Sequence, residues 1–289
     1  MNTLKQYLAL TKPRITFFIL MSTGVGFLFG SRVAQSYSHA WSWAELVHTL
    51  IGTMLIAGGT AALNQWYERE GDGLMLRTKG RPIPSGQLSA TQALLFGTLL
   101  SAVGFIELVL GANVLTGLLA LFTLASYLFI YTPLKRVSPI STTIGAIPGA
   151  MPPLIGYAAA SGHLNYEAGL LFAILFVWQF PHFYAIAWMY REDYARAGIR
   201  MLPVVEPNLD STARRILWFS VALVPLSLAP AVFAMAGTVY LIGAILLCCY
   251  VLYAGYQASV LRTRVEARKV LFASIVYLPV LYGLLAFGR

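Results

Sequence analysis

The sequence predicts an all-α membrane protein, a bundle of about nine transmembrane helices that forms one domain over residues 1–289. The chain is 58% hydrophobic and only 11% charged, with a mean hydropathy of +0.71, whereas about a quarter of the residues of a soluble domain are charged. Apolar stretches recur that can each cross a hydrocarbon core about 30 Å thick. Because no long polar linker separates them, a second, soluble domain is not expected.

Nine apolar stretches are long enough to be counted as spans. They cover residues 15–30, 46–66, 90–110, 114–131, 140–160, 168–189, 216–235, 239–259 and 270–287. The two cysteines, Cys248 and Cys249, are adjacent within the eighth span. This placement favours neither a structural disulfide nor a metal site of known spacing.

Positive charge falls almost entirely on one side of the nine-span arrangement. All but two of the 20 Lys and Arg residues lie there, the exceptions being Arg32 and Arg289. Because basic loops tend to stay in the cytoplasm, the N-terminus is predicted to be cytoplasmic and the C-terminus outside. The N-terminal segment has no pattern of a cleaved or mitochondrial leader, so a bacterial inner membrane is expected. Topology and contact with anionic membrane lipid explain the net charge of +9, and nucleic-acid binding gains no support.

Acidic residues cluster at two places that lie four spans apart. Glu68, Glu70 and Asp72 follow the second span, and Glu192 and Asp193 follow the sixth. The first and fifth spans also begin alike, each after two basic residues. The pattern predicts two parallel four-helix repeats plus a ninth helix, with a site at the interface of the repeats and facing the cytoplasm.

The first acidic cluster contains three oxygen-bearing side chains spaced by four. If the second helix continues past its span, Asn64, Glu68 and Asp72 lie on one face. Small, hard Mg²⁺ prefers carboxylate and carbonyl oxygens together with substrate phosphates, so this ladder suits a metal-bridged diphosphate. The spacing alone is equally that of a hydrated helix end.

Cations follow the ladder closely. Arg77, Lys79 and Arg81 lie in a loop shaped by Gly and Pro, and arginine binds phosphate oxygens in bidentate fashion. Retention of basic loops in the cytoplasm explains these cations but not the neighbouring acids. The sequence therefore predicts a diphosphate site in which carboxylates hold metal and cations hold phosphate.

The second polar loop is a weaker motif. It reads Tyr190-Arg-Glu-Asp-Tyr194. Across a repeat interface, Asp193 and Arg191 would add catalytic and phosphate contacts. The alternative is a solvated loop with local ion pairs.

Together, several segments resemble the intramembrane prenyltransferases of the UbiA type, and within them the branch that acts on haem. These segments are LTKPRI from Leu10, NQWYEREGD from Asn64, RTKGRPIP from Arg77, YTPLKR from Tyr131, GAIPGAMPPLIG from Gly145 and WQFPHF from Trp178. The resemblance covers essentially the whole chain. It implies a nine-span helical fold, Mg²⁺ as cofactor, farnesyl diphosphate as donor and the vinyl group of protohaem (haem b) as acceptor.

Carried over to this chain, the resemblance makes Asn64, Glu68 and Asp72 the residues that hold metal and diphosphate. The expected diphosphate-binding cations are Arg77, Lys79, Arg81, Lys135, Arg136 and Arg191. The expected haem or prenyl pocket residues are His182, Tyr67, Tyr190, Tyr194 and Lys12. Glu68 stands where the family usually has Asp, and the usual second DxxxD runs here from Tyr190 to Tyr194, which puts a second metal site in doubt.

Some alternatives remain open at this stage. His182 lies in an apolar span, where it either contacts haem or is a satisfied structural histidine. Two other functions also remain open. One is a quinone-type prenyltransferase, whose acceptor would be a small aromatic acid, and the other is a transporter, which would also have repeats. The haem branch further implies a supply of modified haem to terminal oxidases, with an oxidase or haem A synthase as a possible partner.

Overall fold

The computed structural model describes residues 3–36, 42–206 and 208–288, and within them the chain is helical without any strand. The helices are α1 (Thr3–Leu10), α2 (Pro13–Ser36), α3 (Trp43–Leu74), α4 (Ala90–Gly111), α5 (Val114–Ala125), a π-helix (Ser126–Tyr131), α6 (Thr132–Leu134), α7 (Ser141–Gly149), α8 (Pro152–Ser161), α9 (Tyr166–Met189), α10 (Arg191–Arg196), α11 (Leu202–Val205), α12 (Asp210–Val232), α13 (Thr238–Leu261) and α14 (Arg264–Phe287). Eight helical segments of the described chain are long and apolar enough to cross a membrane. The all-α multi-pass prediction is confirmed.

The remaining predicted span, residues 140–160, is a broken helix. It consists of α7 and α8, which are separated by Ala150 and Met151. Pro148 lies near the end of α7, and Pro152 and Pro153 open α8. Proline lacks the N–H that a continuous helix needs and is tolerated in the first turn, so the chain stops and restarts here.

Side-chain caps fix the starts of several long helices. Ser42 and Ser89 each form a capping box, with Glu45 and Gln92 respectively, at the starts of α3 and α4. At α14 the side chain of Thr263 accepts from the backbone N–H of Glu266. These bonds satisfy N–H groups that the helix itself leaves unpaired.

Helices α2 and α8 approach each other backbone to backbone. A Cβ built at Gly26 would lie 2.0 Å from the carbonyl oxygen of Pro153, and one at Gly156 would lie 1.8 Å from that of Thr23. Small residues allow such close approach in membrane helices. Helix α2 is the first predicted span and α8 is the second half of the fifth, so this contact joins the first spans of the two predicted repeats.

The outward surface of the bundle is apolar. Large side chains such as Leu95, Leu110 and Phe272 are more than half exposed, while five tyrosines, among them Tyr157 and Tyr277, are fully buried. Lipid is the solvent in which such a surface is stable. The candidate site lies at the end of the bundle where α3 ends.

Candidate active site

Helix α3 carries the acidic ladder beyond the membrane-spanning stretch. It continues to Leu74 without a break, past the predicted span end at residue 66. Asn64 and Asp72 are each 1% exposed, and the Glu68 side chain is 16% exposed. The three side chains therefore share a buried face of one helix, the arrangement that the spacing of four requires.

A cation from a different segment binds each member of this ladder. The pairs are Lys12 Nζ donating to Asn64 Oδ1 at 3.0 Å, Lys135 Nζ donating to Glu68 Oε1 at 2.8 Å, and Arg81 Nη1 donating to Asp72 Oδ2 at 2.5 Å. Lysine and arginine thus converge on α3 from the α1–α2 turn, from the segment after α6 and from the loop after α3. Buried carboxylates need such partners.

The two lysines experience opposite electrostatic environments. Burial, followed by repulsion from Arg81, lowers the pKa of Lys12 to about 7. Burial also acts to lower the pKa of Lys135, but the Glu68 carboxylate outweighs it and raises that pKa well above the ordinary value. Lys135 is therefore a fixed cation, whereas Lys12 titrates near neutral pH.

A π-helix precedes Lys135 and shapes one wall of the site. In this segment Tyr127 and Tyr131 place their rings 5.9 and 4.3 Å from Lys135 Nζ. Just after it, Thr132 accepts a 3.3 Å hydrogen bond from Asn64 Nδ2. Wide π turns are rare and frequent at functional sites. Apolar periodicity gives no signal for such a turn, although the YTPLKR segment had marked this stretch.

A carboxylate of α10 binds the backbone of the loop after α3. Asp193 accepts from the backbone N–H of Leu76 at 3.1 Å and of Arg77 at 3.3 Å, and it pairs with Arg196. Burial would raise the pKa of Asp193, but these hydrogen bonds lower it below its ordinary value. Because both oxygens are engaged, the geometry gives Asp193 the role of holding this loop in place.

The arginine that begins this loop lies between two tyrosines of the second polar motif. The Arg77 guanidinium carbon lies 5.1 Å from the ring of Tyr190 and 5.8 Å from that of Tyr194. Arg77 and Lys79 are exposed, and neither lines the pocket. The two predicted polar loops thus meet, as the repeat arrangement requires.

The ladder borders a narrow pocket. Its lining consists of Tyr67, Glu68, Gly71, Asp72, Met75, Thr132, Lys135, Arg136 and Ile199. The enclosed space is about 10 Å³, roughly that of a single water. A ligand larger than water could therefore enter only if side chains moved.

The pocket offers oxygen ligands for only part of a metal shell. Among the described residues no three His, Cys, Asp or Glu side chains form a cluster able to hold a metal. Asp72 Oδ1 is buried and has no hydrogen-bond partner in the described chain. Since Mg²⁺ is commonly held by one or two carboxylates plus substrate phosphates and water, Glu68 and Asp72 fit it as part of a shared shell.

Arg191 and His182, like Arg77 and Lys79, do not line the pocket. Arg191 borders a separate cleft near the α13–α14 turn. His182 lies within α9, where its Nδ1 is hydrogen-bonded to Ser274 Oγ at 2.9 Å. Its ring stacks on that of Trp178, with the two ring centroids 4.9 Å apart. These contacts favour the structural reading of His182, and a haem contact stays a prediction.

Comparison with known proteins identifies relatives over the full length. A model of the UbiA prenyltransferase family matches residues 20–276. A protoheme IX farnesyltransferase of Solibacter usitatus is 58% identical over 289 residues, with 99% of each chain covered. One from Koribacter versatilis is 44% identical over 295 residues, covering 100% of this chain and 94% of the relative.

Solved structures show the same fold at low identity. Digeranylgeranylglyceryl phosphate synthase gives a TM-score of 0.80 at 18% identity, covering 100% of this chain and 99% of the other. A UbiA homologue from Archaeoglobus fulgidus bound to DMAPP and Mg²⁺ gives 0.68 at 19% identity, covering 98% and 99%. The chain belongs to the UbiA prenyltransferase family.

Proposed function

We propose that this chain transfers the farnesyl group of farnesyl diphosphate to a vinyl group of protohaem IX (haem b), which gives haem O. The observation that carries the reaction class is the convergence of three cations on the buried Asn64, Glu68 and Asp72 face. The choice of donor and acceptor is supported by the full-length relatives, which are named protoheme IX farnesyltransferases.

Mg²⁺ would be held by Glu68 and Asp72, with Asn64 beside them. The unpartnered Asp72 Oδ1 supports this assignment, as does the Mg²⁺ bound in the Archaeoglobus fulgidus homologue. When bound, the metal would offset the negative charge that builds on the departing diphosphate. One metal-binding face is proposed, since Asp193 is committed to the loop.

Donor binding would proceed by an exchange of partners. Lys135, which lines the pocket, now neutralises Glu68, and Arg81 neutralises Asp72. Both cations have flexible side chains. Turning these cations toward the diphosphate would free the carboxylates and widen the narrow space. Arg136 at the rim would add a further phosphate contact. Each buried charge would keep a partner through the exchange, because Mg²⁺ would take the place of the cations at Glu68 and Asp72.

In the transfer step, the allylic carbon–oxygen bond breaks and its electron pair leaves with the diphosphate. After the exchange of partners, Lys135 and Arg81 would stabilise that charge from positions against the diphosphate. The π electrons of the haem vinyl group then form the new carbon–carbon bond to the allylic carbon. Water adds to the cationic carbon next to the ring and loses a proton, giving a hydroxyethylfarnesyl side chain.

The membrane location and partners are also proposals. The near-complete partition of Lys and Arg supports a bacterial inner membrane with the N-terminus and the site in the cytoplasm and the C-terminus outside. The product would serve haem-copper terminal oxidases, directly or through a haem A synthase.

The decisive experiment is a mass-spectrometric assay of the purified protein in detergent with haem b, farnesyl diphosphate and Mg²⁺. Wild type and Glu70→Gln, a matched change at the exposed neighbouring carboxylate, should add farnesyl plus water to haem. Asp72→Asn or EDTA should abolish the product. Diphosphate release with prenylation of 4-hydroxybenzoate instead of haem would refute the proposed acceptor, and no diphosphate release at all would refute prenyl transfer.

A further inference from the structure

The turn between α1 and α2 holds a lysine in a strained backbone conformation. Lys12 has φ +49°, in the left-handed region, and it directly precedes Pro13, which restricts its backbone further. Its carbonyl accepts from the backbone N–H groups of Ile15 at 3.0 Å and Thr16 at 3.1 Å, and so starts α2. Such a conformation persists only where surrounding contacts hold it, and it is concentrated at functional sites.

Gln65 of α3 binds the end of α1, just before Lys12. Its side chain is 1% exposed, and its Nε2 donates to the carbonyl of Leu10 at 2.9 Å and to that of Ala9 at 3.4 Å. These carbonyls belong to the last turn of α1, where a helix leaves its C=O groups without a partner. A helix of only eight residues is not stable alone, so a contact at its last turn fixes where the chain enters the α1–α2 turn.

The amide of Gln65 is itself only partly satisfied. Because carbonyl groups only accept hydrogen bonds, its Nε2 must face α1, and within the described chain its buried Oε1 then has no partner. A buried acceptor without a partner lowers stability. Two unfavourable features, the left-handed backbone of Lys12 and this oxygen, therefore lie at one junction, and stability alone does not explain the arrangement.

This junction places Lys12 against the ladder. Lys12 Nζ donates to Asn64 Oδ1 at 3.0 Å, and Asn64 is next to Gln65 in α3. Since an ammonium group can only donate, the amide oxygen of Asn64 must face Lys12. The Asn64 Nδ2 then faces Thr132 Oγ1 at 3.3 Å, and that hydroxyl donates to the carbonyl of Tyr127 at 2.8 Å. Lys12 thus fixes the orientation of the Asn64 amide between the α1–α2 turn and the π-helix.

We propose that Gln65 is a positioning residue of the active site, which holds the α1–α2 turn so that Lys12 stays on the ladder and orients Asn64. Gln65 does not line the pocket and acts on the donor only through Lys12. This role rests on the proposed function, because it takes the ladder as the place where farnesyl diphosphate and Mg²⁺ bind. A purely structural glutamine would stabilise the bundle without affecting donor binding through Lys12.

The first test is hydrogen–deuterium exchange of the peptide spanning residues 9–18, without donor. Gln65→Met keeps the length of the side chain but has no donor, and Gln65→Asn keeps the amide but is one methylene too short to reach α1. Both should speed exchange at the turn about 10-fold. The matched control Gln6→Met, which removes a 3.4 Å contact between α1 and Gln87, should not. Thermal unfolding would verify folding, and Gln65→Asn decides if Gln65→Met does not fold.

Calorimetric binding of farnesyl diphosphate with Mg²⁺ then tests the route through Lys12. A Gln65 variant that folds and Lys12→Met should each lower the affinity about 10-fold, and combining them should cause no further loss. Unchanged exchange at the turn in the Gln65 variants would overturn the proposal, as would a loss of affinity that adds in full to that of Lys12→Met. If wild type itself does not bind the donor, the proposed function fails, whereas the exchange result still decides whether Gln65 holds the turn.

Discussion

The backbone of the loop that carries Arg77 and Arg81 is hydrogen-bonded to Asp193, and Asp193→Asn tests how strongly this carboxylate holds the loop. Asp193 is 7% exposed and accepts from two backbone N–H groups of the loop while pairing with Arg196. Asparagine has a single acceptor oxygen and no charge. It can retain one of the two backbone bonds, in a weaker, neutral form.

The size of the effect follows from these contacts. A hydrogen bond to a charged group contributes about 1.5–3 kcal/mol, against about 1 kcal/mol for a neutral one. The ion pair with Arg196 adds little, because that side chain is 44% exposed and such pairs contribute about 0–1 kcal/mol. We expect loop opening to become easier by about 2 kcal/mol, or roughly 30-fold.

Hydrogen–deuterium exchange of the peptide spanning residues 75–81 measures this opening. Asp193→Asn should speed exchange there by about 30-fold and leave α13 peptides unchanged. The matched control is Glu192→Gln, which neutralises the adjacent, exposed carboxylate. If the Asp193→Asn loop exchanges at the wild-type rate, the assigned role of Asp193 is wrong.

Three further outcomes are expected. Because these contacts lower the folded pKa of Asp193, its stabilisation is present above the unfolded pKa of about 4 and is lost as pH falls through the folded pKa. Corrected exchange of the loop should therefore rise in acid in wild type but not in Asp193→Asn. Gly26→Ala places Cβ 2.0 Å from a backbone oxygen and should lower the free energy of unfolding by about 1–3 kcal/mol. Heating followed by size-exclusion chromatography should show this loss of stability for Gly26→Ala but not for Gly24→Ala, which has open space around it. Lys135→Met should weaken farnesyl diphosphate binding about 10-fold or more by calorimetry, and adding Glu68→Gln should restore stability without restoring affinity.

Local sequence patterns were sufficient to predict the bundle and the ladder. Apolar length located the spans, because crossing lipid demands it. The spacing of Asn64, Glu68 and Asp72 required only that α3 continue, which it does to Leu74. Both inferences depend on the length and spacing of residues within a single segment, and these can be read directly from the sequence.

Local patterns could not predict which residues of distant segments contact each other. Nothing local assigns Lys12 to Asn64 or Lys135 to Glu68, since these pairs depend on how distant helices pack. Asp193 illustrates the same limit: an acid after a span resembles a metal ligand, yet its oxygens accept backbone N–H groups. The break between α7 and α8 was signalled by its prolines, but the hydropathy of the stretch masked it.

The ion pairs of the pocket connect stability with substrate binding. Two buried carboxylates would destabilise a membrane protein if left alone, and Lys135 and Arg81 remove that cost in the resting state. The same pairs keep two cations beside the place where a diphosphate would bind, and the pocket between them holds only about 10 Å³. If the cations turn to the diphosphate, Glu68 and Asp72 lose their partners. A positive charge must then bind with the donor, because otherwise two buried carboxylates would repel each other. Donor and Mg²⁺ should therefore bind with positive cooperativity, each weakening when the other is withheld.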